Sequence, residues 1–446
     1  MSVSGIRGIV DQSLTAETVA RFARAFASEK TSGARVILAR DTRPSGERFS
    51  RIASEALQVS GCTVIDLGIC PTPAAKLMVL EDGAQGGLII TASHNSIEWN
   101  GLKLVREDGI FLDAEASARV ERAYHDDRSR EEASVNVESI EWSQTRSIYL
   151  KRVLAAVDTE AIRAAGLRAA VDPCNGTGAL YCRELLDALN VEAIVINDEP
   201  NGDFAHEPEP ISANLQQLGE AVRNGRCQVG FAIDPDADRV ALVAEDGEPV
   251  GEDYTLALAV QSVTQRQRGP VVTTLSTSQI VSDVAAAAEC PVLLTPVGEV
   301  FVVDTMITEG AVVGGEGNGG VILTSVDPGR DAAVGMAMVL DVLAMQRTSL
   351  SRLVARLPRY AIDKRKVGCQ HEDFERAVEE MVARYPSALR HPVVDGVKLY
   401  LTGSLECPWI HLRASNTEPI VRVIAESASP QEATKLCDEA EELLRG

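Results

Sequence analysis

Three aspartates alternate in Asp234-Pro-Asp236-Ala-Asp238, and Arg239 follows at once. They come directly after the apolar run Val229-Gly-Phe-Ala-Ile233. On an extended or turning backbone, carboxylates two residues apart can converge. Three hard oxygen donors with room left for substrate oxygens suit Mg²⁺. Arg239 could grip a phosphate through its forked guanidinium. A solvated acidic turn would use the same residue types, but the position at the end of an apolar strand favours metal. The Gly and distal Glu of an EF-hand loop do not follow in register, which disfavours that kind of site.

Ser93 ends a second such strand, in Gly86-Gly-Leu-Ile-Ile-Thr-Ala-Ser-His94. A serine attacks when a base, a metal or a charged pocket activates it. His94 adjoins it, and Lys103 lies on the returning segment Asn100-Gly-Leu-Lys103. Standing alone, this serine reads first as a turn or helix-capping hydroxyl. No GxSxG elbow is present, so acyl transfer fits poorly. Near the other end, Arg413 and Arg422 bracket Ser415, Asn416 and Thr417 in RASNTEPIVR. Forked cations with hydroxyl and backbone donors are what a phosphate cradle requires; a solvated hairpin is the plain alternative. The glycine-rich Gly314-Gly-Glu316-Gly-Asn318-Gly-Gly320 offers Glu316 and Asn318 to sugar hydroxyls, or is simply a tight turn. Arg7, Arg40 and Arg43 are further cations beside glycines. In a chain of net charge −22, such motif-borne arginines suggest a locally positive pocket for an anionic substrate.

The elements that must carry these loops repeat. Three stretches, from Ala34, Leu167 and Gly269, each open with an apolar strand, a polar turn and an amphipathic helix. Each continues through a second apolar strand (from Cys62, Val191 and Pro291) to a third that ends in a loop described above. Short continuous apolar strands alternating with helices predict α/β units with mixed, largely parallel sheets. Ligands of such sheets gather beyond the carboxyl ends of the strands, so the repeat aims three loops at one central cleft. With 446 residues there is room for about three domains and a possible fourth. The expected boundaries are 1–143, 144–246, 247–355 and 356–446, the last a separate α+β domain.

Composition narrows the function. Acidic residues number 65 against 43 basic ones, a poor balance for nucleic-acid or anionic-membrane binding. No apolar run reaches the 18 or so residues of a spanning helix, and no secretory leader is visible. The nine cysteines include no CxxC pair and read as reduced, mostly buried thiols, which points to a cytoplasmic protein.

Together, these segments resemble the α-D-phosphohexomutase superfamily across essentially the whole chain. Its signatures occur in order: GIRG, ARDTRPSG, TASHN with NGLK, DPDADR, GEGNG and RASNTEPIVR. The resemblance is nearest to phosphoglucosamine mutase and archaeal-type phosphomannomutase/phosphoglucomutase members. It implies three related α/β domains and a C-terminal domain resembling the TATA-binding protein. Ser93 would be the phosphoserine and a metal ligand, with Asp234, Asp236 and Asp238 holding Mg²⁺. Lys103 would be the general acid/base, its pKa lowered by neighbouring cations, with Arg7 and His94 beside the transferring phosphate. Glu316 and Asn318 would read sugar hydroxyls. Arg413, Ser415, Asn416, Thr417 and Arg422 would grip the phosphate that is not reacting.

The implied reaction moves a phosphoryl group between C1 and C6 of a hexosamine or hexose phosphate through a hexose 1,6-bisphosphate. Glucosamine phosphate is the expected substrate, with mannose or glucose phosphate as the alternative. A metal-dependent sugar phosphatase and a non-catalytic sugar-phosphate sensor are competing readings. The expected partner is thus a small sugar phosphate, not nucleic acid or membrane, and the expected state is a monomer or homodimer. Turnover of the intermediate calls for a hinge near residues 350–360. Three departures from the family pattern stand out: Ser96 for the usual Pro, Pro235 for Gly, and Asn318 for Ser.

Overall fold

The computed structural model describes residues 5–126, 137–369, 371–393, 395–414 and 420–445. The first sheet contains β1 (Ile6–Ile9), β2 (Arg35–Arg40), β3 (Thr63–Ile69), β4 (Gly87–Ile90), β5 (Trp99–Val105) and β6 (Val137–Ser139). The second contains β7 (Arg168–Asp172), β8 (Glu192–Val195), β9 (Val229–Ile233) and β10 (Val240–Ala244). The third contains β11 (Val271–Thr274), β12 (Val292–Thr295), β13 (Val313–Glu316) and β14 (Gly320–Ile322). Their orders are β1-β5-β4-β2-β3-β6, β10-β9-β7-β8 and β12-β11-β13-β14.

One topology underlies all three. The first strand of each repeat (β2, β7, β11) is central and pairs parallel with the second and the third. The fourth returns antiparallel beside the third. The turn between third and fourth strands therefore lies at the same place in every unit, and it carries Ser93, the aspartates or Glu316. Strands β4 and β9 are buried along their whole length. That is why they read as unbroken apolar runs rather than as alternating ones.

One apolar cluster runs through the first three units, joining residues such as Ile37, Val79, Val171, Phe231, Val271 and Leu340, and smaller clusters lie beside it in each unit. Helix Ala332–Gln346 is buried on almost every side within it. The fourth unit holds a five-stranded antiparallel sheet of β15 (Ala361–Gly368), β16 (Leu389–Arg390), β17 (Val397–Tyr400), β18 (Trp409–Ala414) and β19 (Ile420–Ser427). Its order is β15-β19-β18-β17-β16, and its apolar core is its own. Helices His371–Arg384 and Pro430–Arg445 belong to the same unit.

Polar groups join it to the third unit. Lys398 Nζ donates to the Leu275 carbonyl (2.7 Å), and Val297 N–H donates to Asp395 (2.8 Å). His411 meets Ser276 Oγ at 3.1 Å. Glu426 accepts from Gln279 N–H (2.8 Å), from Trp409 Nε1 (2.7 Å) and from the Ser278 hydroxyl. Among the described residues, no helix is long and apolar enough to cross a membrane.

Candidate active site

The Ser93 loop is locked from behind. Ser93 is fully buried and sits at φ 52°, a left-handed conformation that a non-glycine residue adopts at a cost. Thr91 Oγ1 accepts the Ser93 N–H (2.9 Å) and donates its own proton to Asp41 (2.6 Å). Arg43, buried and paired with Asp41 at 3.1 Å, spreads its guanidinium over the carbonyls of Ser93 (2.7 Å), Ser96 (2.6 Å), Trp99 (2.9 Å) and Asn95. This corrects the expectation that Arg43 lends its charge to a ligand pocket. Its donors are spent on holding the loop, and Ser96 takes part through its carbonyl despite lacking a proline ring.

In front, the Ser93 hydroxyl donates to Asp234 Oδ2 at 3.0 Å. Asp234 Oδ1 accepts the N–H groups of Asp238 and Arg239, both at 3.1 Å, which folds the loop onto its first carboxylate. Ala237 takes the left-handed position of this turn (φ 58°), so Pro235 is not asked to. Instead the Pro235 carbonyl receives Thr177 N–H (2.8 Å) and its hydroxyl (3.0 Å). Gly176 permits that approach, since a Cβ there would lie 2.7 Å from Pro235 Cα.

The carboxylates of Asp234, Asp236 and Asp238 are fully buried, each offering one oxygen within 4.8 Å of the others. Lys103 Nζ donates to Asp236 Oδ2 (2.6 Å) and Asp238 Oδ2 (3.0 Å), and Thr72 Oγ1 donates to Asp236 Oδ2 (2.8 Å). Asp236 Oδ1 and Asp238 Oδ1 are buried without a hydrogen-bond partner. Orphaned buried oxygens beside a third carboxylate and a hydroxyl fit a hard divalent cation.

Electrostatics sort the groups. Burial, then the charges of Asp238 and Asp236, push Asp234 well above the usual carboxylate range. Burial alone would raise Asp238 as well, but Arg330, Lys103 and Arg239 outweigh it and hold it well below. The expected lowering of Lys103 is reversed. Burial disfavours its charge, yet Asp236 and Asp238 more than compensate and raise it above an ordinary lysine. His94 moves the other way: burial, with Arg239 and Arg7 nearby, lowers it to about 2, so the imidazole is neutral. Its Nδ1 lies 3.4 Å from Ser93 Oγ. Arg7 donates to Asn95 Oδ1 (2.9 Å), and Arg239 Nε lies 3.4 Å from Asp238.

Two features escaped the reading of the sequence. Arg330, in Asp327-Pro-Gly-Arg-Asp331, reaches Asp238 Oδ2 (2.8 Å), Glu316 Oε2 (2.6 Å) and Glu299 Oε2 (3.0 Å). Its signal was a charged residue after Pro-Gly, just ahead of an apolar helix. It links Glu316 to the aspartate loop, whereas Asn318 turns its Oδ1 toward Gly320 N–H (3.2 Å). The other feature is a second-unit loop that closes over the serine loop. Phe204 stacks on Arg43 at 5.0 Å, and His94 Nε2 lies 3.7 Å from Glu209.

His206 anchors that second-unit loop. It meets Asp172 Oδ2 (3.1 Å) through Nε2 and the Glu207 carbonyl (2.8 Å) through Nδ1. Burial opposes its charge, but Asp172, Cys174 and that carbonyl raise it to about 11. A raised folded pKa stabilises fully below the unfolded value of about 6.5. That stability is lost as pH climbs towards about 11. Wild-type Tm is therefore expected to fall more between pH 6.5 and 10 than that of His206→Gln; parallel curves would contradict this.

Arg413 and Arg422 stand apart on the fourth sheet, opposite each other in register. Arg413 Nη1 lies 3.7 Å from Asp395. Ser415, Asn416 and Thr417 lie outside the described residues.

Comparison with known proteins places this geometry. The phosphoglucomutase/phosphomannomutase α/β/α domains I, II and III match residues 1–131, 147–247 and 251–360, and the C-terminal domain matches 370–443. A phosphoglucomutase/phosphomannomutase of Thermococcus kodakarensis is 33% identical over 96% of this chain and 94% of its own. A phosphoglucosamine/phosphogalactosamine mutase of Sulfurisphaera tokodaii is 30% identical over 99% of this chain and 98% of its own. Among solved structures, a phosphoglucomutase/phosphomannomutase family protein of Burkholderia thailandensis superimposes with a TM-score of 0.84 at 24% identity, covering 99% of this chain and 96% of that one. With all four domains matched in order and relatives aligned nearly end to end, the chain belongs to the phosphoglucomutase/phosphomannomutase family, whose members are isomerases.

Proposed function

We propose that this mutase interconverts the 1- and 6-phosphates of a hexosamine or hexose, with Ser93 as the phosphoryl carrier. The observation that carries the reading is the Ser93 hydroxyl held 3.0 Å from Asp234 Oδ2 within a buried carboxylate trio. Asp234, Asp236 and Asp238 would hold Mg²⁺, whose charge would offset that of the transferring phosphate. Arg7 and Arg239 add fixed positive charge at the same place, and phosphoryl transfer asks mainly for such positioning and charge.

In each transfer the hydroxyl that gains the phosphoryl group loses a proton and the oxygen that gives it up, on Ser93 or on the sugar, takes one, so no net proton is consumed. Lys103, kept protonated by Asp236 and Asp238, is suited to hand a proton to the sugar oxygen that loses phosphate. Glu316 reads a sugar hydroxyl. Arg413 and Arg422, with Ser415, Asn416 and Thr417, grip the phosphate at the far end. The 1,6-bisphosphate must turn over before the second transfer. A fourth unit with its own core, seated on polar contacts, supports opening about a hinge near 350–360.

Glucosamine phosphate is the proposed sugar, supported by the name of the Sulfurisphaera relative. Side-by-side kcat/KM values on glucosamine, glucose and mannose 1-phosphates test this. The glucosamine compound should lead; a clear lead for glucose or mannose would overturn that choice. Net release of inorganic phosphate without isomerisation would overturn the mutase assignment.

A further inference from the structure

Arg330 has all three guanidinium nitrogens committed to carboxylates, each from a different part of the fold. Nη2 serves Asp238 of the aspartate loop, Nη1 serves Glu316 of the glycine-rich loop, and Nε serves Glu299. It is buried, so no solvent competes for these bonds. Its backbone is pinned as well. Asp331 caps helix Ala332–Gln346 by accepting from Ala333 N–H (2.7 Å) and Val334 N–H (3.1 Å), and it receives the Tyr149 hydroxyl at 2.7 Å. Asp331 N–H in turn bonds the Val321 carbonyl at 2.9 Å. Gly320 is what lets the side chain pass, since a Cβ there would meet Arg330 Cδ at 2.3 Å.

With a carboxylate on each of its three nitrogens, this guanidinium acts through the groups it holds. We propose that Arg330 is the positioning residue that aligns Glu316 with the aspartate loop, and that discrimination between sugars depends on it. The inference rests on the mutase reading and on Glu316 facing the sugar. Without the cation, buried Glu316, Asp238 and Glu299 would repel one another, and Glu316 would lose its fixed position relative to the metal-holding carboxylates. A lysine can supply the charge but not a planar fork reaching three acceptors. Replacement by lysine should therefore disturb alignment more than charge.

The test compares kcat/KM for glucosamine, glucose, mannose and galactose 1-phosphates in wild type, Arg330→Lys, Glu316→Gln and the double variant. Arg330→Lys should cut the ratio of best to poorest sugar by roughly tenfold or more, the scale of one lost hydroxyl contact. Because both changes act through one carboxylate, the double variant should discriminate no worse than Glu316→Gln alone. A uniform fall across sugars, with additive losses in the double variant, would mean Arg330 is structural and overturn the proposal.

Should Arg330→Lys not unfold cooperatively, Glu299→Gln decides. It removes the charge that holds Arg330 Nε, and with it the anion paired with buried Lys76, while the Arg330 contacts to Asp238 and Glu316 keep their partners. A narrowed sugar ratio supports the proposal, and an unchanged ratio overturns it. A wild type that isomerises none of these sugars would sink the mutase reading itself, before any variant is compared.

Discussion

Ser93→Ala is expected to lower isomerisation by roughly 10⁴-fold or more, the scale on which loss of a covalent nucleophile acts. The fold should survive. Alanine meets the same left-handed backbone cost as serine, and the bonds that hold the loop, from Thr91 and Arg43, go to the backbone of residue 93. The hydrogen bond to Asp234 Oδ2 is lost, but Asp234 Oδ1 keeps the N–H groups of Asp238 and Arg239. Mg²⁺ and sugar phosphate should still bind by calorimetry, with Tm within a few degrees of wild type. A serine that merely shaped the turn would leave turnover nearly intact.

Lys103→Met carries the second-largest effect. Methionine roughly keeps the volume but removes the ammonium from between Asp236 and Asp238, which it contacts at 2.6 and 3.0 Å. Loss of a general acid costs about 10²–10⁴-fold in rate, and kcat should fall by that much in both directions. Stripping one partner from a buried charge group also destabilises by about 3 kcal/mol or more. Added Mg²⁺ would replace the missing positive charge, so it should raise Tm further in the variant than in wild type. Activity should not return with stability. A kcat within tenfold of wild type would show that the lysine only balances charge.

The parts of the molecule that were legible in the sequence share a physical cause. Strands buried on both faces must be continuously apolar, so Gly87–Ile90 and Val229–Ile233 announced themselves and the loops after them. Ser93 and the aspartates sit within a few residues of those strand ends, so short motifs sufficed.

What was missed depends on partners far away in the chain. Lys103 was read against nearby arginines, but its acidity is set by Asp236 and Asp238, more than a hundred positions on. Arg43 looked like a pocket cation because, Asp41 apart, its acceptors are backbone carbonyls, which carry no sequence signal. Arg330 joins carboxylates from separate strands and turns, a junction that exists only once the third unit packs against the second. The fourth unit's docking through Lys398, His411 and Glu426 was invisible for the same reason.

The central claim is that Ser93 carries the phosphoryl group. The most direct measurement is transfer from a labelled donor. Wild type and Ser93→Ala are incubated with Mg²⁺ and glucose 1,6-bisphosphate labelled with ³²P in both phosphates, then digested and mapped by mass. The account predicts one labelled phosphate per wild-type chain, on the peptide containing Thr91-Ala-Ser-His-Asn95, and its discharge to added glucosamine 1-phosphate as the doubly phosphorylated sugar. Ser93→Ala should take up no label. Label on another peptide, or near wild-type isomerisation by Ser93→Ala in the presence of the bisphosphate, would contradict it.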